Sequence, residues 1–330
     1  MPTGENSVVM SCENISKSYP VRKGLFRRVA GQKQIVRGVS FELERGRTLA
    51  LVGESGCGKT VLLRVLLGIE KNSGGRFLYR GRNTETMSAA EQREMRLKVQ
   101  MIFQDTLGSF HPRMSVREAL EEPLILSGVK SGSERMATIE TVLGQVGLSP
   151  LYLTRYPHQL SGGQRQRAAI ARCLAVAPEI IFADEPISAL DVSLQAQVVN
   201  MLMDLQDDYQ LSILLVAHDL AVVRQIADTI MIMYLGAIVE SAPAREIYGD
   251  ARHPYTQALL QAAPSIKKGL TDENFTVHLK PGDLPDPANP PSGCLFRTRC
   301  VRATALCAEA APAPREVSPK HVVLCHFAQE

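Results

Sequence analysis

A run of small residues that closes on a lysine and a hydroxyl carries the first recognisable chemistry. Gly53-Glu54-Ser55-Gly56-Cys57-Gly58-Lys59-Thr60 fits G-x-x-x-x-G-K-[ST], directly after the apolar run Thr48 to Val52 and before a stretch of helical spacing. Glycines let such a backbone curl until successive N–H groups point at phosphate oxygens, and the following helix N-terminus adds positive potential. Lys59 would reach the β and γ phosphates and Thr60 would ligate Mg²⁺, with Gly53, Ser55, Gly56, Cys57, Gly58 and Val61 around the polyphosphate. A second group, Asp184 and Glu185, ends the apolar run Ile180 to Ala183. Asp184 would hold the Mg²⁺ shell, and Glu185, one residue further along the strand exit, would polarise a water that attacks the γ phosphate. Cys57 is a small residue at a crowded spot, and its alkylation is expected to disturb nucleotide binding.

These groups need strands that end side by side. Thr48 to Val52, Val99 to Phe103, Ile180 to Ala183 and Ile213 to Ala217 read as buried strands, and Val61 to Leu67, Gln164 to Val176 and Leu194 to Tyr209 carry helical spacing. The pattern is that of an α/β fold with a mostly parallel sheet, whose strand ends are the usual place for ligands. Between about Thr106 and Leu160 the strand signal stops while Val116 to Leu126 and Ala137 to Val146 stay helical, which predicts a helical insertion. From Pro264 onward the composition turns to Pro, Ala and Cys, so residues 264–330 are expected to form a tail behind a nucleotide-binding domain of residues 1–263.

The composition supports one large domain with a small appendage: 330 residues, 45% apolar, 22% charged, and 37 basic against 34 acidic side chains for a net charge of +3. Such values exclude a largely disordered or collagen-like chain, and so weak a positive balance neither calls for a polyanionic partner nor excludes one. No stretch reaches the roughly 18 consecutive apolar residues of a membrane span, and Met1 to Asn14 lacks a basic-then-apolar signal pattern. A cytosolic protein is expected. Four of the seven cysteines, Cys294, Cys300, Cys307 and Cys325, crowd into the tail, and in a reducing compartment that argues for metal over disulfides. Four thiolates suit Zn²⁺ or an iron–sulfur cubane, and the absence of cysteine pairs two to four residues apart favours the cubane.

The acidic pair is not alone. Leu160-Ser161-Gly162-Gly163-Gln164 precedes it, and Ser188-Ala189-Leu190-Asp191 and then His218 follow it. In this order the motifs resemble the ATPase subunits of ABC transporters: Walker A at Gly53 to Thr60, the Q-loop at Gln104, the signature at Leu160 to Gln164, Walker B ending at Asp184, the D-loop at Ser188 to Asp191 and the switch histidine at His218. The resemblance implies a P-loop NTPase with a RecA-like core, with the helical subdomain at about residues 106–163, ATP and Mg²⁺ as ligands, Glu185 as general base and Gln104 at Mg²⁺ or the attacking water. It also implies that Ser161, Gly162, Gly163 and Gln164 act on ATP held by another cassette, and that Tyr19 stacks on adenine.

Finer marks place the resemblance with ATPases of bacterial dipeptide and oligopeptide importers, of the F type. They are Tyr19-Pro20-Val21-Arg22-Lys23-Gly24, Gly108-Ser109-Phe110-His111-Pro112-Arg113, Ser188 to Gln197 and His253-Pro254-Tyr255-Thr256-Gln257-Ala258-Leu259-Leu260. This branch implies a sister D-type ATPase in a heterodimeric pair, two membrane permease subunits, an extracytoplasmic binding protein, no nucleic acid, and a peripheral place on the cytoplasmic face of the inner membrane. It also implies a [4Fe–4S] cluster, with Zn²⁺ as the alternative, on Cys294, Cys300, Cys307 and Cys325. Nickel or opine import and a soluble ABC ATPase acting on ribosomes or DNA are the competing functions. Val61, Ile187 and Thr106 depart from the family pattern; the missing hydroxyl at Val61 removes one hydrogen bond to phosphate, worth about 0.5–1.5 kcal/mol.

Overall fold

The structure, a computed structural model, describes residues 8–23, 28–188, 190–262, 280 and 284–329. Gly24, Ala189 of the D-loop, residue 263, and residues 264–279 and 281–283 of the predicted tail lie outside them. Along the first half run β1 (Val8–Lys23), β2 (Arg28–Glu44), β3 (Thr48–Val52), α1 (Lys59–Leu66), β4 (Gly74–Tyr79), β5 (Arg82–Asn83), α2 (Ala89–Lys98), β6 (Val99–Ile102), α3 (Val116–Ser127) and α4 (Gly132–Gln145). There follow α5 (Gly162–Leu174), β7 (Ile180–Asp184), α6 (Val192–Tyr209), β8 (Ser212–Ala217), α7 (Leu220–Ile226), β9 (Thr229–Tyr234) and β10 (Ala237–Pro243). The last are α8 (Ala244–Asp250), α9 (Pro254–Ala262), α10 (Leu306–Glu309), β11 (Arg315–Ser318) and β12 (His321–Val323). Two units result, one built from residues 43–48 and 79–216, the other from residues 10–42, 49–78 and from 217 onward.

In the first unit β6, β7 and β8 pair in parallel, Met101 beside Phe182 and Phe182 beside Leu214. All of β7 and β8 is buried, which is why their sequences are continuous apolar runs rather than alternating ones. The helical stretch predicted for residues 106–160 contains α3 and α4 and, among the described residues, no strand. Its helices begin where the chain supplies caps. Ser115 accepts from the Glu118 N–H while Glu118 accepts from the Ser115 N–H, a reciprocal pair that satisfies two otherwise orphaned donors, and Gly128 ends α3 in the left-handed conformation.

In the second unit β3 lies parallel to β9, with Leu49 beside Thr229 and Val52 beside Ile232, and β9 turns back into antiparallel β10. The C-terminal segment then adds a hairpin: β12 pairs antiparallel with β10, and β11 with β12. A separate sheet has β1 between β2 and β4.

A fully buried pair holds the hairpin to β10. Glu240 accepts from the N–H groups of Arg252 (2.7 Å) and His253 (3.0 Å) and faces His321 Nε2 at 2.8 Å, while Glu246 lies 3.3 Å from His321 Nδ1. The hydrogen bond to Glu240 raises the His321 pKa above the ordinary histidine value against the opposing effect of burial. The pair therefore contributes in full below the unfolded-state histidine pKa and loses its contribution as pH rises through the raised folded value. His321→Ala is expected to cost about 3–5 kcal/mol, the range for removing one partner of a buried pair. Limited proteolysis of the tail should accelerate with rising pH in the native chain and lose that pH dependence in the variant.

Candidate functional site

β3 ends at Val52, and residues 53–58 turn the chain into α1. A Cβ at Gly53 would fall 2.3 Å from Met233 O, and one at Gly58, whose φ is +115°, would fall 2.7 Å from Ile35 O. Both positions must be glycine for the loop to lie this close to the backbone around it. Lys59 is buried, and its Nζ donates to Gly53 O (2.6 Å) and Glu54 O (3.1 Å), so the cation sits across the loop it belongs to. No carboxylate occupies the first turn of α1, which leaves its N-terminal N–H groups to an anion. Thr60 and Val61 are half-buried, and Ser55 and Gly56 are exposed.

The position of Cys57 bears on its reactivity. It is 2% exposed, and burial pushes its thiol above the ordinary range despite nearby Lys59. Little thiolate forms at pH 7, so N-ethylmaleimide should modify Cys57 slowly and leave nucleotide binding intact; peptide mapping by mass spectrometry checks this.

Tyr19, in the same unit, is half-buried: its hydroxyl donates to Glu70, and Lys17 Nζ lies 4.9 Å from its ring centroid. His218 follows β8 and is exposed, next to Asp219, which caps α7 by accepting from the Ala221 N–H at 2.7 Å.

In the first unit two predicted residues meet: Gln104 Nε2 donates to Glu185 Oε2 at 2.9 Å. Glu185 has a φ of 45°, a left-handed conformation costing roughly 1–2 kcal/mol for a residue with a Cβ. The surrounding chain holds it there. Its N–H donates to Val216 O (2.9 Å) on β8, and its carbonyl accepts from the Ser188 N–H (3.3 Å) and Oγ (3.1 Å). Strain of this kind concentrates where a side chain must be presented in one direction. Asp184, the last residue of β7, is buried, and Gln104 and Ser188 line an open cleft with Asp105, Thr106, Leu107 and Arg165.

The signature and the D-loop also pack within this unit. Ser161 caps α5 by accepting from the Gln164 N–H (3.3 Å), and Gln164 accepts from the Ser161 N–H (2.9 Å) and donates to Tyr152 Oη (2.8 Å). A Cβ at Gly163 would lie 3.2 Å from Leu194 Cδ1 on α6, a tight approach, whereas one at Gly162 would make an ordinary contact of 3.7 Å with Leu190 Cδ2. Asp191 caps α6 by accepting from the Leu194 N–H (3.0 Å), which lowers its pKa.

Comparison with known proteins gives two matching family models: "ABC transporter" over residues 36–188 and "Oligopeptide/dipeptide transporter, C-terminal region" over residues 239–307. The oligopeptide transport ATP-binding protein AppF of Bacillus subtilis is 43% identical, with 99% of each chain covered. This chain belongs to the ABC transporter family of oligopeptide and dipeptide transport ATP-binding proteins. A dipeptide transport ATP-binding protein, DppF of Haemophilus influenzae, is 44% identical over 97% of each chain. Among solved structures, a dimeric bacterial ABC transporter cassette matches with a TM-score of 0.64 and 28% identity, covering 72% of this chain and 99% of that one. The same cassette is also known in a post-hydrolysis state with ADP and Pi. This ABC protein is an ATPase with a P-loop NTPase fold. Its glycine cradle, its buried Lys59 and the hydroxyl of Thr60, all in one unit, suit the phosphates and magnesium of a bound triphosphate.

Two expectations for the ABC ATPase need correction. Cys294, Cys300, Cys307 and Cys325 do line one small cavity, with His253, Phe296 and Phe327. Yet among the described residues no group of three or more His, Cys, Asp or Glu is arranged to hold a metal ion, so the iron–sulfur expectation falls. Burial raises the Cys294 pKa to about 11 and those of Cys300 and Cys325 above the ordinary thiol value. The tail instead uses ordinary packing. Phe296 is 1% exposed, with ring centroids 5.1 Å from Tyr234 and 5.5 Å from Tyr255, and the Cys294 N–H donates to Cys307 O at 2.8 Å. The heterodimeric expectation falls as well, because the dimeric structure that this chain resembles is that of a single cassette.

Sequence reasoning missed Glu54, Tyr255 and Arg299 as parts of the loop's surroundings. Arg299 lies 245 positions from Glu54, and beside Cys300 it reads as a counter-charge to thiolates.

Proposed function

We propose that this ATPase energises the import of dipeptides and oligopeptides. The observation that carries the reading is the near full-length identity of 43% and 44% to an oligopeptide and a dipeptide transport ATP-binding protein. In this reading Lys59 and the loop Gly53–Thr60 bind the triphosphate, Tyr19 stacks on the base, and Thr60, Asp184 and Gln104 surround Mg²⁺, which neutralises the developing phosphate charge. Glu185 takes the proton of the attacking water, and His218 orients that water and the γ phosphate. Ser161, Gly162, Gly163 and Gln164 serve ATP held by a second cassette, with Ser188 and Asp191 at the junction, so binding closes a dimer and hydrolysis opens it.

The partners of this reading are two membrane permease subunits and an extracytoplasmic substrate-binding protein, and the chain sits peripherally at the inner membrane. No helix among the described residues is long and apolar enough to cross a membrane. Residues 1–263 act as the nucleotide-binding domain, with the helical subdomain at about residues 106–163, and residues 264–330 as an appended tail. Affinity purification of the tagged chain from detergent-solubilised membranes should recover stoichiometric permease subunits. Recovery with ribosomes or DNA, and without permeases, would refute the reading.

A further inference from the structure

The second residue of the phosphate loop is a glutamate, and a carboxylate beside bound polyphosphate has the wrong sign. In this chain a distant arginine answers that charge. Arg299 Nη1 donates to both carboxylate oxygens of Glu54, at 3.1 Å and 2.8 Å, with the two side chains only 11% and 29% exposed. The contact is built on both sides. The Arg299 guanidinium lies 5.9 Å from the Tyr234 ring centroid, and its backbone N–H donates to Phe296 O at 3.0 Å. Phe296 in turn packs edge-on to Tyr234.

Glu54 is held at three further points of contact or adjacency. Its N–H donates to Tyr255 Oη at 3.0 Å, its carbonyl accepts from Lys59 Nζ at 3.1 Å, and the neighbouring Gly53 carbonyl accepts from the same Nζ at 2.6 Å. The backbone around Glu54 is thus tied to the lysine that would bind phosphate, while its side chain is tied to the C-terminal segment.

We propose that Arg299 is a positioning residue for ATP binding: by pairing with Glu54 it cancels the carboxylate of the phosphate loop and fastens the loop to the C-terminal segment. The proposal rests on the phosphate-loop reading above. A charge beside a triphosphate acts through space, so loss of Arg299 exposes ATP to repulsion from Glu54, and added salt screens that repulsion. A purely structural role for Arg299 would give a loss that is indifferent both to salt and to the charge at position 54.

The test is equilibrium dialysis of radiolabelled MgATP against the full-length chain at low and high salt. R299A should raise the Kd about tenfold at low salt and clearly less at high salt. In the E54Q background the same R299A change should raise it less than about twofold, because no carboxylate remains to repel the phosphates. R299K, which keeps the charge, should hold the Kd within about threefold of native. R299Q keeps much of the side-chain length and carries the same test if R299A does not fold. Equal losses from R299A in both backgrounds, or no loss in either, would overturn the proposal. K59A separates the two levels: undiminished ATP binding there would defeat the phosphate-loop reading itself.

Discussion

Glu185→Gln lowers ATP turnover by about 10²–10⁴-fold, the range that follows loss of a general base, while ATP stays bound. The substitution is nearly isosteric, and the remaining amide oxygen can still accept from Gln104 Nε2, which now donates to Glu185 Oε2 at 2.9 Å. The left-handed backbone at this position is held by Val216 O and by Ser188, neither of which senses the side-chain charge. Geometry is therefore retained, and proton acceptance is what disappears. Phosphate release measured beside ATP retention separates the two quantities. A variant that turns over within about threefold of native would remove Glu185 from the base role.

Lys59→Ala weakens ATP binding by about 10–100-fold, from the roughly 1.5–3 kcal/mol of hydrogen bonding to a charged group. The buried Nζ bridges Gly53 O and Glu54 O, so its removal takes away both the cation and the fastening between two loop carbonyls. Lys59→Arg should not restore binding, because a planar guanidinium cannot reproduce a compact ammonium in a site this enclosed. Equilibrium dialysis of labelled ATP reads the effect, and native affinity in Lys59→Ala would contradict it.

The parts of the fold that were legible in the sequence are those buried on both faces. β3 coincides with the predicted Thr48 to Val52, and β7 and β8 extend the predicted runs by one residue each, because strands covered on two sides read as unbroken apolar runs. α3 begins at Val116 as predicted, since Ser115 and Glu118 write its start into the sequence. The long strands β1 and β2 and the hairpin of β11 and β12 were not legible. Their pairing partners are remote in sequence, as when β12 joins β10 through Glu240 beside Val323.

At the site, the acidic pair at a strand end named Glu185 and the family resemblance named Gln104, and the fold brings the two into hydrogen-bond contact. Spacing did not reveal that Glu54 pairs with Arg299 or that the Tyr255 hydroxyl oxygen accepts from the Glu54 N–H, because those contacts depend on how the C-terminal segment docks. The four tail cysteines show the opposite error. Their spacing admits a metal, while among the described residues no group of three or more His, Cys, Asp or Glu is arranged to hold one.

The most direct test of the account is uptake of labelled dipeptides and oligopeptides by cells lacking this chain and supplied with either the native protein or Glu185→Gln. Peptide uptake should fall without the chain, return with the native protein and stay low with Glu185→Gln, while uptake of nickel is unchanged. Peptide uptake that persists without the chain, or that Glu185→Gln restores in full, would contradict the claim that ATP hydrolysis at this site drives peptide import.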